Sequence, residues 1–201
     1  MKHLFILSIT FLFITGCAGT QKINKESQFT SAQTELIMSA DSSAPMRVLS
    51  VYNKQDSLLL RTKCEDITPD SNDVILNNVI KRMFTTVNDS LSLGVGIAAP
   101  QVGILKNIIW VQRYDKPSYP FEVYLNPKIK QYTKKKLSWV EGCLSVPGRR
   151  DTTTTRSYAI LLDYMRPDNS HQLEMIEGFT AIIFQHEIDH LNGIIYLDRI
   201  K

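Results

Sequence analysis

Gly178-Phe179-Thr180-Ala181-Ile182-Ile183-Phe184-Gln185-His186-Glu187-Ile188-Asp189-His190-Leu191 is the stretch on which the reading of this chain turns. It contains no internal Gly or Pro, and Asn192-Gly193 follows as a stop signal. Phe179, Ala181, Ile182, Ile183 and Phe184 are apolar on nearly every side, so the spacing predicts a helix over 178–191 buried on most faces. At 3.6 residues per turn, His186 and His190 fall on one face, a turn apart. Two imidazoles so placed can hold one metal ion. Glu187 stands beside them, suited to moving protons on a water at that metal. A plain surface helix carrying polar residues is the simpler alternative. The apolar run argues against it, because ionisable groups on a buried helix need partners or a metal.

A hydrolytic metal site needs three protein ligands and one open position. The 11 residues after His190 hold no His, Cys or Glu, and Asp198 is their only carboxylate. That argues against a zinc endopeptidase, whose third ligand usually lies downstream. His3 lies at the extreme N-terminus and His171 in an expected hairpin, so the third ligand is sought upstream. Glu141-Gly142-Cys143-Leu144-Ser145-Val146-Pro147-Gly148 offers a thiolate, a strong and soft ligand beside a glycine that permits close backbone approach. The alternative for Cys143 is a small buried hydrophobe, which is the reading for Cys64. A Cys64–Cys143 disulfide would also be possible in an oxidising compartment and would destroy the site.

Outward from these segments, Ser71-Asn72-Asp73 offers caps for an amphipathic helix carrying Val74, Ile75, Val79, Met83, Phe84 and Val87, roughly four turns long. Gly94-Val95-Gly96-Ile97-Ala98-Ala99-Pro100-Gln101 is too glycine-rich to continue it. Ile108–Val111 reads as a strand, and Val123–Leu125 as another that stops at Asn126-Pro127. Ala159–Tyr164 and Gln172–Ile176 read as two strands joined by the turn Arg166-Pro167-Asp168-Asn169. A helix, antiparallel-type strands and a buried helix make an α+β fold.

The chain has 201 residues, 43% of them hydrophobic, and a formal net charge of +3. That excludes collagen-like and wholly disordered chains, and the charge is too small to argue for nucleic acid. At the N-terminus, Lys2 and His3 precede an apolar run from Leu4 to Ile14, 11 residues where a membrane span needs about 20. Ile14-Thr15-Gly16-Cys17 then resembles a bacterial lipobox, which implies a signal peptide over 1–16 and lipidation of Cys17. Residues 17–45 are mostly polar and are expected to form a tether, with the folded domain over 46–201. The expected location is the cell envelope, anchored to a bilayer through Cys17.

Three segments in order, Gly94–Gln101, Glu141–Ser145 and Gln185–His190, together with Tyr124-Leu125-Asn126-Pro127, resemble the peptide deformylases. The resemblance covers most of 46–201. It implies hydrolysis of the N-formyl group from N-formylmethionyl peptides. Cys143, His186 and His190 would hold one divalent metal, typically Fe²⁺, for which Zn²⁺, Ni²⁺ or Co²⁺ can substitute. Glu187 would be the general acid/base, and the Gln101 amide with the Leu144 N–H would receive the oxyanion. Val95, Ile182 and Ile183 match the pocket for the methionine side chain. Gly94 and Gly96 would line the approach, Ile97 and Glu141 would belong to the substrate-binding set, and Arg150 is a supporting arginine near the substrate that Glu141 could pair with. An exported, tethered enzyme does not meet nascent chains, so ribosome docking is not expected. The alternative from another class is a lipoprotein that captures formylated peptides without turnover.

Overall fold

The computed structural model describes residues 27–89 and 94–200; His3, the apolar run over 4–14 and Cys17 lie outside the described residues. Helix α1 (Ser31–Met38) opens the described chain, followed by α2 (Lys54–Leu60) and α3 (Val74–Val87). Asp73 caps α3 as its sequence suggests: one carboxylate oxygen accepts from the N–H groups of Ile75 and Leu76 at 2.9 and 3.0 Å. Seven strands follow: β1 (Gly96–Ala98), β2 (Ile108–Gln112), β3 (Phe121–Tyr132), β4 (Lys136–Cys143), β5 (Val146–Ser157), β6 (Ala159–Met165) and β7 (His171–Glu177). The last helix is α4 (Gly178–Leu191). Strands β1-β2-β3-β6-β7 form one antiparallel sheet in that order, and β4 with β5 forms a separate hairpin. The fold is α+β, as expected.

One apolar cluster joins α1, α3 and the ends of β1–β3 through Ile37, Leu76, Met83, Ile97 and Leu125. Another joins α4 to the sheet through Tyr124, Ile160, Leu162, Phe184 and Ile188. Every residue of α4 from Thr180 to Leu191 is buried. The helix is thus held on all sides, and its polar residues must find partners inside the protein. Among the described residues, no helix is long and apolar enough to cross a membrane.

Two expectations change, and one element is new. Residues 27–45 belong to the fold and are not tether: Phe29 and Ile37 are buried, and Arg82 donates to the carbonyl oxygens of Leu36, Ile37 and Ala44 at 2.8, 3.0 and 3.1 Å. Side-chain bonds to backbone, with only two buried apolar anchors, order this polar segment. Strand β3 does not stop at Asn126-Pro127. The ladder shifts register between Leu125 and Lys128, and Asn126 takes φ +50°. Its side-chain amide clasps both backbone groups of Ile67 at 2.8 and 2.7 Å. The proline sits at an irregularity where no ladder N–H is required. Finally, the β4–β5 hairpin had no counterpart in the sequence reading.

Candidate active site

Helix α4 and the end of β4 converge on a cavity of about 720 Å³. The one-turn spacing on α4 leaves the His186 and His190 rings 5.1 Å apart, inclined at 69°. Cys143, the last residue of β4, brings its Sγ to 3.2 Å from His190 Nε2. One atom from each of Cys143, His186 and His190 lies within 4.8 Å of the others. For comparison, bonds of about 2.0–2.3 Å to a tetrahedral centre put neighbouring ligand atoms roughly 3.5 Å apart. The donor set therefore fits one cation.

The electrostatics point the same way. Glu141 Oε2 accepts from His186 Nδ1 at 2.7 Å, which turns Nε2 of that ring toward the cavity. Glu141 is itself held by Arg156 through Nε and a terminal nitrogen at 2.8 and 2.9 Å, and by the Thr153 hydroxyl. Arg156 also donates to Asp189 at 2.6 Å, which Arg199 pairs from the other side. Burial pushes the Glu141 carboxyl up, but the bonds from His186 and Arg156 outweigh it and hold the group at about 2. Burial alone would raise the Cys143 thiol, yet the neighbouring imidazoles bring it well below its ordinary range. Burial disfavours a charged His186, but Cys143 and Glu141 on either side raise it well above its usual value. Two anions around one position form a seat for positive charge, filled by a proton or by a cation.

Glu187 is the opposite case. It is 4% exposed, and its Oε2 has no partner among the described residues. Burial pushes it up to about 7 against the pull of His186 and His190. It lies directly over Gly96, where an added Cβ would come within 2.5 Å of Glu187 Oε1. A glycine at 96 is thus required by the carboxylate above it. Gln101 accepts the Ala98 N–H on Oε1 at 2.9 Å, which fixes its amide the other way round toward Cys143 and Ser145. Nε2 is 3.6 Å from Cys143 Sγ and 3.2 Å from Ser145 Oγ.

Val95, Gly96, Leu144, Arg150, Ile182 and Ile183 line the cavity together with His186 and Glu187. Ile97 does not: it is fully buried in the core beside Val79 and Met83. In a strand, adjacent side chains face opposite ways, so Gly96 facing the cavity sends Ile97 inward. The same rule separates Glu141 from Arg150. Gly142 pairs with Arg150 across the hairpin, and the Arg150 side chain lies over Gly142, so that a Cβ there would meet its Nε at 3.1 Å. Glu141 points to the other face, where Arg156 meets it instead. Cys64 and Cys143 are both free thiols; Cys64 is buried among apolar residues and pushed up to about 12. His171 pairs with Asp163 on the exposed side of the sheet.

Residues the sequence reading passed over complete the site. Arg156, Thr153 and Asp189 form the buried charge network. Tyr196, in the short 3₁₀ turn Tyr196–Arg199, stacks on His186 with ring centroids 6.0 Å apart. Its hydroxyl lies 3.2 Å from the Arg149 carbonyl oxygen and 3.3 Å from Asp151 Oδ2 on the cavity rim. No spacing rule links positions 141, 156 and 196; the β4–β5 hairpin brings the first two together, and the 3₁₀ turn packs Tyr196 against His186 and the hairpin.

Residues 46–201 match the family model described as polypeptide deformylase. The peptide deformylase of Leptospira biflexa serovar Patoc is 36% identical over 166 residues, covering 79% of this chain and 89% of that protein. The crystal structure of class I type b peptide deformylase from Acinetobacter baumannii with Met-Ala-Ser bound superposes with a TM-score of 0.69 at 32% identity, covering 79% of this chain and 99% of that one. The same protein with actinonin bound gives 0.68 at 30%, with the same coverage.

Proposed function

The chain belongs to the polypeptide deformylase family, and we propose how its own residues carry out that family's reaction. The reaction is the metal-dependent hydrolysis of N-formylmethionyl peptides to formate and a free amino terminus. Cys143, His186 and His190 are the metal ligands in this reading. The supporting observation is their convergence, with ligand atoms within 4.8 Å of one another, on the cavity that Glu187 faces. A divalent cation held there acidifies water from a pKa of ~16 toward 7 and so supplies the nucleophile at neutral pH.

The protein does the rest. Gln101 Nε2 and the Leu144 N–H donate to the formyl oxygen as it takes up negative charge, each such donor being worth roughly 2.7–4 kcal/mol when well placed. The fixed orientation of the Gln101 amide means that no reorganisation is needed as the charge develops. Glu187 takes a proton from the attacking water and returns it to the departing amine nitrogen as the C–N bond breaks. Burial disfavours the charged carboxylate, so Glu187 takes up a proton readily, and Oε2 has no hydrogen-bond partner among the described residues to hold it back. Val95, Ile182 and Ile183 form the apolar slot for the methionine side chain, and Gly96 lets the peptide backbone pass close. Arg150 lies on the rim as a support for the rest of the peptide.

Fe²⁺ is the proposed native ion, with Zn²⁺, Ni²⁺ and Co²⁺ as substitutes; a mixed thiolate–imidazole set suits these ions and not Mg²⁺ or Ca²⁺. Metal analysis after anaerobic purification, with a formate-release assay on formyl-Met-Ala-Ser, tests the assignment. About one iron per chain and turnover are expected; a metal-free, fully active protein would overturn it. We also infer export and lipid anchoring through Cys17, acting on formylated peptides outside the cytoplasm. The basic start, short apolar run and Gly16-Cys17 support this. Cell fractionation with mass spectrometry of the mature N-terminus decides it, since an unprocessed cytosolic chain would exclude it.

A further inference from the structure

Two of the largest side chains on the cavity have no part in the mechanism above. Helix α4 turns Phe179, Ile182, Ile183 and His186 toward the cavity, the i, i+3, i+4, i+7 set of one helix face. From His186 back to Phe179 is seven residues, about 10 Å of helix. A side chain laid along this face from the reacting end is therefore carried toward Phe179. There Phe179 stacks against Trp139 of β4, with centroids 4.7 Å apart and planes 28° from parallel. Tyr114 packs behind Phe179 at 5.1 Å, and Tyr119 packs on Tyr114 at 5.2 Å, so the pair is backed by a row of rings. Trp139 lines the cavity yet is 42% exposed. A tryptophan braced by stacking but left open on the cavity side presents an aromatic surface to whatever enters.

We propose that the Trp139–Phe179 pair is the end wall of the methionine slot and selects a thioether over a hydrocarbon chain of the same length. The proposal rests on the deformylase reading and goes beyond it by naming which atom of the substrate the slot recognises. Sulfur is polarisable and is attracted to aromatic rings, whereas a methylene in its place gains only ordinary packing. Val95, Ile182 and Ile183 are aliphatic and do not distinguish the two. Discrimination therefore falls to the two rings.

The test compares Met-Ala-Ser with norleucine-Ala-Ser, in which CH₂ replaces sulfur, by calorimetric binding to the metal-loaded protein, and compares kcat/KM for the two formylated peptides. The wild type is expected to favour methionine by about two- to tenfold in both measures. In W139L and F179L methionine should lose more affinity than norleucine, bringing the ratio close to one, and W139F should keep part of the preference. A wild-type ratio of one, or a ratio unchanged in both leucine variants, overturns the proposal. If no formate is released but the binding ratio and its loss are seen, the end wall stands and the assigned reaction fails.

Discussion

Two buried glutamates stand beside the same site, one from the β4–β5 hairpin and one from α4, and their surroundings drive them in opposite directions. Glu141 is held at about 2 by His186 and Arg156, whereas Glu187, with an unpartnered oxygen, is pushed up to about 7. The hairpin carboxylate is an anion at every physiological pH and holds the His186 ring through Nδ1. The helix carboxyl changes charge near neutrality and is free to exchange protons. A fully paired buried acid is part of the framework, and an unpaired one beside it is available for chemistry.

The largest effect should come from cutting the helix side alone. Glu187→Gln keeps shape and volume but cannot shuttle a proton. Its kcat should fall by about 10²–10⁴-fold with metal content per chain unchanged. A variant that lost its metal in proportion to its activity would show that both glutamates are framework.

Cutting the hairpin side should show the reverse pattern. Arg156→Met leaves Glu141 and Asp189 buried without their shared cation. Unfolding free energy should drop by about 3–5 kcal/mol, measured by urea denaturation. Glu141→Gln should loosen the metal by about 10–100-fold in chelator competition, because His186 loses its charged acceptor. In both variants the metal-replete fraction should retain most of its kcat.

This division also marks what the sequence could disclose. The α4 site was legible because a helix brings positions 186, 187 and 190 together by its own local period, and the apolar residues around them signalled burial. Cys143 could be found from its glycine-flanked motif and from the lack of a downstream ligand. The hairpin was not legible. Its inward face carries Glu141, Thr153 and Arg156, so the apolar–polar alternation by which a strand is recognised is missing. Residues 27–45 were misread for a similar reason. Their order comes from Arg82 and Asn78 bonding to carbonyl oxygens, which composition does not reveal. Strand alternation within the motifs sends Ile97 to the core and turns Glu141 to Arg156 and away from Arg150, which the order of residues in a motif does not reveal.

The metal-free protein offers a subtler comparison, through pH. An unfolded glutamate titrates near ~4.3. Glu187 is raised when folded, so its contribution to stability is fully present below ~4.3 and is lost as pH rises to about 7. Glu141 is depressed, so its contribution is present above ~4.3 and is lost as pH falls toward about 2. Chemical denaturation across pH should therefore find Glu187→Gln equal to wild type in acid and more stable by about 1–3 kcal/mol at pH 8. Glu141→Gln should be less stable at pH 8, with the gap narrowing toward pH 2. Parallel curves for the two variants would mean that the two environments do not differ as the geometry says.

The smallest effect belongs to Tyr196, which touches the hairpin and the helix at once. Its ring stacks on His186, while its hydroxyl bonds to the Arg149 carbonyl on the rim from which Arg150 crosses Gly142. Tyr196→Phe removes only the second contact. The hydroxyl proton, shared between the Arg149 carbonyl and the Asp151 carboxylate, is worth about 1 kcal/mol, so KM for formyl-Met-Ala-Ser should rise by roughly two- to fivefold. Metal content and kcat should stay at wild-type values, because the stacked ring still braces His186. Tyr196→Leu removes both contacts and should add a loss of metal affinity. If Tyr196→Phe instead lowers metal content with KM unchanged, the hydroxyl acts through the ligand ring, and the rim is held by the hairpin alone.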